Sequence, residues 1–226
     1  MSVQTLYTAA TGMQALETKL DVIAHNLANV NTTAFKKGRA NFEDLMYRHE
    51  AMPGSDPAGG GKSATGKSIG LGTRVSSIQT NFQQGAFEQT GNRYDVAIQG
   101  NGFFQVQDAA SGNNLYTRSG NFSVNADGNL VLGSATAGRV LQPPINIPEN
   151  VLDVGIQADG TVLIRLPGQD QSQSAGQLQL NNFINPEGLL KLGENLYQET
   201  DASGTATAGN PGDTGLGVLQ QGALEA

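Results

Sequence analysis

An apolar heptad repeat runs through the first thirty residues and constrains the fold more than any other feature of the chain. Two rows of apolar residues recur every seven positions, and the second row is offset from the first by three. The rows are Leu6, Met13, Leu20 and Leu27, and Ala9, Leu16, Ile23 and Val30. Four uninterrupted heptads are typical of a coiled-coil helix. We expect a helix of about 40 Å that ends near Asn29, where Asn and Thr side chains begin to compete for backbone hydrogen bonds.

These eight apolar residues, called the seam below, need a covering partner. A helix of this kind either lies on the core of its own domain or packs against other helices. No second segment of the 226-residue sequence carries a comparable stripe. Leaving the seam in water is costly, at about 25 cal/mol per Å² of apolar surface. We therefore interpret the seam as an assembly surface, covered by a helix of another chain or of sequence beyond Ala226.

Short alternating runs separated by strong turn signals follow from Arg74 onward, which predicts an antiparallel β domain over residues 74–226. Asp127-Gly128 and Asp159-Gly160 each predict a turn between two short strands. Gly100-Asn101-Gly102 is the turn at which we expect a hairpin, between residues 94–98 and 103–106. The expected fold class is mainly β with an N-terminal α-helix over residues 1–33, joined by a connecting segment over residues 34–73.

The connecting segment contains a sequence that imitates a nucleotide-binding loop. Residues 51–73 are rich in Gly, Pro, Ser and Ala and indicate a flexible loop. Within it, residues 61–68 match the phosphate-loop pattern GxxxxGKS. That chemistry requires a strand before the loop and a helix beginning at the lysine, Lys67. Here Pro and Gly precede the loop and two glycines follow it, so we interpret the match as fortuitous.

Composition and charge exclude further classes of function. Without cysteine there is no disulfide framework, thiolate nucleophile or cysteine zinc site, and two histidines leave little for a histidine-based metal site. Thirteen basic against twenty acidic residues argue against nucleic-acid binding. No apolar run approaches the ~20 residues of a membrane-spanning helix, and the N-terminus lacks a secretory signal layout. We find no convincing catalytic constellation, and we expect no enzyme activity, cofactor or metal.

Several segments resemble the rod and hook family of bacterial flagellar axial proteins. Residues 20–36 are similar to the N-terminal signature of that family, including the motif Ala28, Asn29, Val30, Asn31 and Thr32. Further similar segments follow in the same order along the chain, at residues 91–106, 116–124, 183–189 and 217–225. Within the family, residues 70–75 and 183–189 favour a subunit of the distal part of the rod over another rod or hook component.

The resemblance implies a structural subunit of a hollow helical drive shaft that carries torque to the hook and conducts exported proteins. The implied partners are other copies of the chain, proximal rod and hook proteins, and the surrounding bushing rings, with no nucleic acid and no membrane insertion. The implied location is the periplasm-spanning rod, reached by flagellar type III export without a cleaved signal. Family members continue past residues 220–225 with a second helix, which we expect to pair with the first. A cell-wall-directed β-domain enzyme or binding module is the alternative from another class.

Overall fold

One α-helix precedes twenty β-strands in the computed structural model, which describes residues 3–54, 64–108, 112–133, 138–169 and 171–226. Helix α1 spans Val3–Ala28. The strands are β1 (Gly38–Asp44), β2 (Tyr47–Ala51), β3 (Lys67–Gly70), β4 (Thr73–Thr80), β5 (Phe87–Gln89), β6 (Val96–Gln99), β7 (Phe104–Gln107), β8 (Asn114–Thr117), β9 (Phe122–Val124), β10 (Leu130–Leu132), β11 (Arg139–Gln142), β12 (Asp153–Ile156), β13 (Thr161–Arg165), β14 (Gln173–Gln177), β15 (Leu180–Asn182), β16 (Leu190–Gly193), β17 (Leu196–Gln198), β18 (Thr207–Gly209), β19 (Val218–Gln221) and β20 (Ala223–Glu225). A 3₁₀ turn, Pro186–Gly188, lies between β15 and β16. The predicted fold class is confirmed.

Helix α1 ends one residue before the Asn and Thr cluster that was expected to stop it. The side chain of Asn29 donates to the carbonyl oxygen of His25 at 2.9 Å, and the Asn29 backbone N–H also reaches this oxygen, at 3.2 Å. These bonds satisfy a carbonyl that the last turn leaves without a helical partner. Within the helix, the hydroxyls of Thr8 and Thr18 donate hydrogen bonds to the backbone carbonyl oxygens four residues earlier.

Every strand pair in the described residues is antiparallel. The largest sheet has seven strands in the order β16-β17-β8-β7-β11-β10-β9, and β12-β13-β14 form a sheet of three. The pairs β1-β4, β2-β3, β5-β20, β6-β19 and β15-β18 complete the topology. The turns predicted at Asp127-Gly128 and Asp159-Gly160 are confirmed, and the strands that they join pair with each other, β9 with β10 and β12 with β13.

The hairpin predicted at Gly100-Asn101-Gly102 is wrong. Strand β6 pairs with β19, and β7 pairs with β8 and β11. The physical reason is the guanidinium of Arg118, which donates to the carbonyl oxygens of Gly100 and Gly102 at 3.0 Å and of Ile98 at 3.3 Å. The turn therefore wraps around a buried cation instead of closing a two-stranded ladder.

The described residues divide into two units. The first comprises the chain up to Val30 together with Lys37–Asn81, and contains α1 and β1 to β4. The second comprises Asn31–Lys36 and Phe82–Ala226. Strands β1 to β3 lie in the segment that was expected only to connect, and β4, which was assigned to the β domain, instead pairs with β1. In short strands rich in Gly, Ser and charged residues, apolar and polar residues alternate too weakly for the strand to be predicted from its own sequence.

The core of the second unit is made by alternate strand residues that point inward from its sheets. Phe104 and Phe122 meet edge to face at its centre, with ring centroids 5.1 Å apart. A second cluster combines Phe103, Tyr116, Phe183, Leu189 and Tyr197. The main cluster includes Val96, Ile98, Val106, Leu130, Leu141, Ile145, Val162, Leu178, Leu180 and Leu219. This core gives the unit a rigid frame for the polar contacts described below.

Candidate assembly surface

The seam lies open on the surface of helix α1. Its large side chains are between 49% exposed, at Ile23, and 69% exposed, at Leu27. The other members, Leu6, Ala9, Met13, Leu16, Leu20 and Val30, are exposed as well. In a globular protein the apolar stripe of a surface helix normally faces the core. A continuous apolar row that faces outward indicates an interaction surface.

The opposite, mostly polar row of the helix packs against the chain's own β1-β4 ribbon. Ala15 is buried at its centre, and the other members of the row are half-buried: Gln4, Thr8, Thr11, Thr18, Val22 and Asn26. The contact is close because glycine lies opposite the helix at two points of the first unit. A Cβ atom at Gly72 would overlap the hydroxyl of Thr11, whereas a Cβ at Gly38 would sit 3.6 Å from the Cγ1 of Val22.

Hydrogen-bonded side-chain pairs tie the two strands of the ribbon together. Asn41 donates to Ser77 across the pair at 3.1 Å, and Arg74 and Ser76 both donate to Glu43, at 2.9 and 2.6 Å. The hydrogen bonds from Ser76 and Arg74 hold the pKa of the Glu43 carboxyl below its usual value. Such cross-strand pairs stabilise a two-stranded ribbon that would otherwise be marginal.

The motif that follows the seam lies at the end of the helix. Ala28 is the last helical residue and is exposed, as are Val30 and Asn31, whereas Asn29 and Thr32 are half-buried. The carbonyl oxygen of Thr32 accepts from the N–H of Phe35 at 3.2 Å, which closes a turn in the segment that follows the helix. The motif therefore contributes a helix stop and a turn, and we retain its role in assembly as a prediction.

Three charged side chains meet in the interior of the second unit. Glu225, of which 3% is exposed, accepts from the Nζ of Lys36 at 2.6 Å and from the Nε of Arg118 at 2.9 Å. The backbone N–H of Gly85 adds a third hydrogen bond to this carboxylate, at 2.8 Å. The Nζ of Lys36 also donates to the carbonyl oxygen of Gln83 at 2.9 Å. We call Lys36, Arg118 and Glu225 the charged triad.

The opposite charges of the triad stabilise one another in a buried site. Burial opposes ionisation of Glu225, but Arg118 and Lys36 outweigh that effect and keep the pKa of the carboxyl below its usual value. Burial lowers the pKa of Lys36, and its bond to Glu225 counteracts the shift. Nearby, burial raises the pKa of Tyr197 to about 12. Removing one member of a buried ion pair is strongly destabilising, because the remaining charge stays uncompensated.

Sequence reasoning identified the seam but missed the triad. Glu225 lies 189 positions from Lys36 and 107 from Arg118, so no local spacing connects the three residues. Only the structure shows that Glu225 follows Ala223 and Leu224 in a short strand of which all three residues are buried. A charged residue in a buried strand calls for an ionic partner, although it does not identify which one.

The described part of the phosphate-loop pattern, residues 64–68, does not have the geometry of a nucleotide-binding site. Residues 61–63 of the pattern lie outside the described residues. Lys67 is the first residue of β3 and forms an exposed ion pair with Glu50. A helix would have to begin at this lysine to point backbone N–H groups at phosphates. No cluster of three or more His, Asp or Glu that could hold a metal ion occurs among the described residues, and no described helix is long and apolar enough to cross a membrane.

Comparisons with known proteins agree on one family. Residues 6–36 match the profile described as flagella basal body rod protein, and residues 97–164 match the flagellar hook protein FlgE/F/G D1 domain. The flagellar basal-body rod protein FlgG of Buchnera aphidicola subsp. Baizongia pistaciae is 44% identical over 97% of this chain and 83% of its own length. FlgG of Caulobacter vibrioides is 42% identical over 99% and 84%, and FlgG of Bacillus subtilis 40% identical over 98% and 83%.

Proposed function

The chain belongs to the family of flagellar basal-body rod proteins, and on that premise we propose how it assembles. It is a structural subunit of the distal rod and not an enzyme. We propose that copies of the chain join helically into a hollow shaft, with the seam as the contact between helices. Such a shaft transmits torque to the hook and conducts exported proteins through its bore.

The exposed seam of helix α1 is the observation that carries this proposal. The helix rests on its own ribbon with the opposite row, so the apolar row remains free to meet other helices. A 3.5-residue apolar repeat is suited to knobs-into-holes packing against such helices. A contact between two different surfaces of identical subunits generates a filament when the rotation from copy to copy does not close into a ring.

The subunit assembles with other rod and hook components, and we infer the finer partners from its place in the rod. Proximal rod proteins would meet one end of the distal rod, the hook would meet the other, and the bushing rings would surround it. The hook protein FlgE of Borreliella burgdorferi is 42% identical over 57% of this chain and 28% of its own length, which supports a shared segment on the two sides of that junction. We propose that export follows the flagellar type III route without a cleaved signal peptide.

Two matched substitutions on helix α1 test the seam. Leu16→Glu places a charge within the seam, and Gln14→Glu places the same charge two residues away on an exposed position outside it. Both side chains are exposed in the isolated chain, so both variants should unfold at nearly the wild-type temperature. In cells that lack the native gene, we expect Leu16→Glu to abolish rod assembly and swimming, and Gln14→Glu to support both.

Cross-linking identifies the partner of the seam. Because the sequence contains no cysteine, an introduced cysteine is the only thiol of the chain that can react. In purified basal bodies, Met13→Cys that carries a cysteine-reactive photo-cross-linker should couple copies of the chain to one another, and Gln14→Cys labelled in the same way should couple far fewer. If Leu16→Glu swims as well as Gln14→Glu, the seam is not the assembly contact. If Met13→Cys cross-links only to other basal-body proteins, contact between copies is wrong.

A further inference from the structure

The short segment that follows helix α1 is held by residues from the far end of the chain. The carbonyl oxygen of Thr33 accepts from the side chain of Asn195 at 2.9 Å, and the N–H of Ala34 donates to the backbone carbonyl oxygen of Glu225 at 2.8 Å. Lys36 extends the same attachment through its ion pair with Glu225. The carbonyl oxygen of Lys36 also accepts from the Nζ of Lys191 at 3.4 Å. We call these contacts the clamp.

The two sides of the clamp are themselves firmly held. Asn195 lies in the two-residue turn between β16 and β17, where Glu194 and Asn195 both adopt positive φ, 53° and 58°, as a tight hairpin turn requires. The hydroxyl of Thr117 donates to the carbonyl oxygen of Asn195 at 2.9 Å. On the other side, Glu225 belongs to β20, which pairs with β5. The clamp is therefore complete only when the β16-β17 hairpin and β20 have folded.

The segment does not hold this conformation by its own preference. Ala34 is buried, with 3% exposed, and has a φ of 58°. For a residue with a Cβ atom this left-handed conformation is unfavourable and persists only where the surroundings impose it. The surroundings here are Asn195 and Glu225, which lie about 160 and 190 residues further along the chain. Contacts between residues so far apart in the sequence require a long loop to close, and folds that are rich in such contacts form slowly.

We propose that the clamp makes the order of residues 33–36 depend on the folding of later strands. It fixes this segment only after the β16-β17 hairpin and β20 have formed. A chain in which the β16-β17 hairpin and β20 are not yet folded leaves residues 33–36 unordered and joins the shaft poorly. This role rests on the proposed function, because it assumes that the seam is used for assembly. It adds that a subunit uses the seam only after the β16-β17 hairpin and β20 have folded.

Hydrogen exchange of the purified 226-residue chain tests the clamp. Asn195→Asp retains a residue that tolerates positive φ but removes the donor to Thr33. Asn185→Asp is the matched control, since it removes a similar side-chain bond, to the carbonyl oxygen of Ala202, elsewhere in the second unit. We expect Asn195→Asp to accelerate exchange at Ala34 about tenfold, while the strands β7 and β8 exchange as in the wild type. Asn185→Asp should leave Ala34 unchanged.

Pulse-labelling during refolding from urea tests the order of events. The Ala34 amide should gain protection no earlier than the amides of Leu196 and Leu224. Protection of Ala34 while those two amides still exchange would overturn the proposal, as would equal exchange at Ala34 in Asn195→Asp and Asn185→Asp. Because the isolated chain is measured, failure of the clamp is distinct from failure of the seam. Leu16→Glu should keep wild-type protection at Ala34 even though it blocks assembly.

Discussion

The side-chain amide of Asn26 and the backbone of Gly38 exchange two hydrogen bonds. The Nδ2 of Asn26 donates to the carbonyl oxygen of Gly38, and the N–H of Gly38 donates to the Oδ1 of Asn26, each at 2.9 Å. The side chain thereby acts as an extra strand residue that joins the last turns of α1 to the start of β1. It holds the polar row of the helix against the ribbon and leaves the seam outside.

Replacing Asn26 should loosen the first unit. In Asn26→Ala, two backbone groups of Gly38 lose their partners, and we expect the free energy of unfolding to fall by about 1–3 kcal/mol. Asn41→Ala is the control, because it removes a single exposed cross-strand bond to Ser77, where the loss should stay below about 1 kcal/mol. Urea unfolding followed by helical circular dichroism measures both. Equal losses in the two variants would show that the Asn26 pairing does not hold the helix.

The two glycines that face helix α1 should respond differently to a methyl group. Gly72 has a φ of 124°, and its Cβ would overlap Thr11, so Gly72→Ala should lower the free energy of unfolding by about 1–3 kcal/mol. Gly38→Ala adds a Cβ at ordinary contact distances, 3.5 Å from Ile78 and 3.6 Å from Val22. We expect that variant to be neutral or more stable by up to about 1 kcal/mol.

A second substitution separates the two causes at Gly72. Thr11→Ala removes the hydroxyl that the new methyl group would overlap, but it leaves the strain of a positive φ in place. The double variant should therefore recover part of the loss seen in Gly72→Ala. Thermal unfolding of the four proteins completes the double-mutant cycle. Full additivity of the two substitutions would contradict a direct overlap.

Tyr197 should make the second unit sensitive to alkali. Its pKa is raised to about 12 by burial, whereas a tyrosine in the unfolded chain ionises near 10. The unfolded state therefore loses its proton first, so the contribution of Tyr197 is fully present below pH 10 and declines as the pH rises to 12. The loss amounts to about 2–3 kcal/mol by pH 12.

Comparison of the wild type with Tyr197→Phe isolates that contribution from the other tyrosines. Urea unfolding at pH 9 and at pH 11 gives the free energy of each protein. The wild type should lose more stability between the two conditions than Tyr197→Phe. Parallel losses would mean that Tyr197 ionises normally in the folded protein.

Lys67 should be dispensable despite its place in the phosphate-loop pattern. Its ion pair with Glu50 is 2.5 Å long, but 70% of the lysine side chain is exposed, and exposed pairs contribute about 0–1 kcal/mol. We expect the free energy of unfolding of Lys67→Ala to lie within about 1 kcal/mol of the wild-type value. The variant should also support swimming. Equilibrium dialysis with Mg-ATP should give no saturable binding to either protein. Saturable binding that Lys67→Ala abolishes would restore the nucleotide hypothesis.

The sequence by itself determined the features that repeat over short distances. The heptad spacing of Leu6 to Val30 specified a helix with an apolar row, because side chains three, four and seven apart share a face of any helix. The Asp127-Gly128 and Asp159-Gly160 turns specified that their flanking strands lie side by side, because a tight turn leaves the two strands adjacent. The turn signals lie within a few residues and the heptad signal lies within 25 consecutive residues, so neither depends on a distant part of the chain.

Only the tertiary structure decided which distant segments meet. It pairs β6 with β19 instead of β7, sets the polar row of α1 against the β1-β4 ribbon, and brings Lys36 and Arg118 to Glu225. These outcomes depend on competition among many strands and side chains for one edge or one carboxylate. Because that competition is settled by the packing of the whole unit, residues more than 100 positions apart carry no local mark of their pairing.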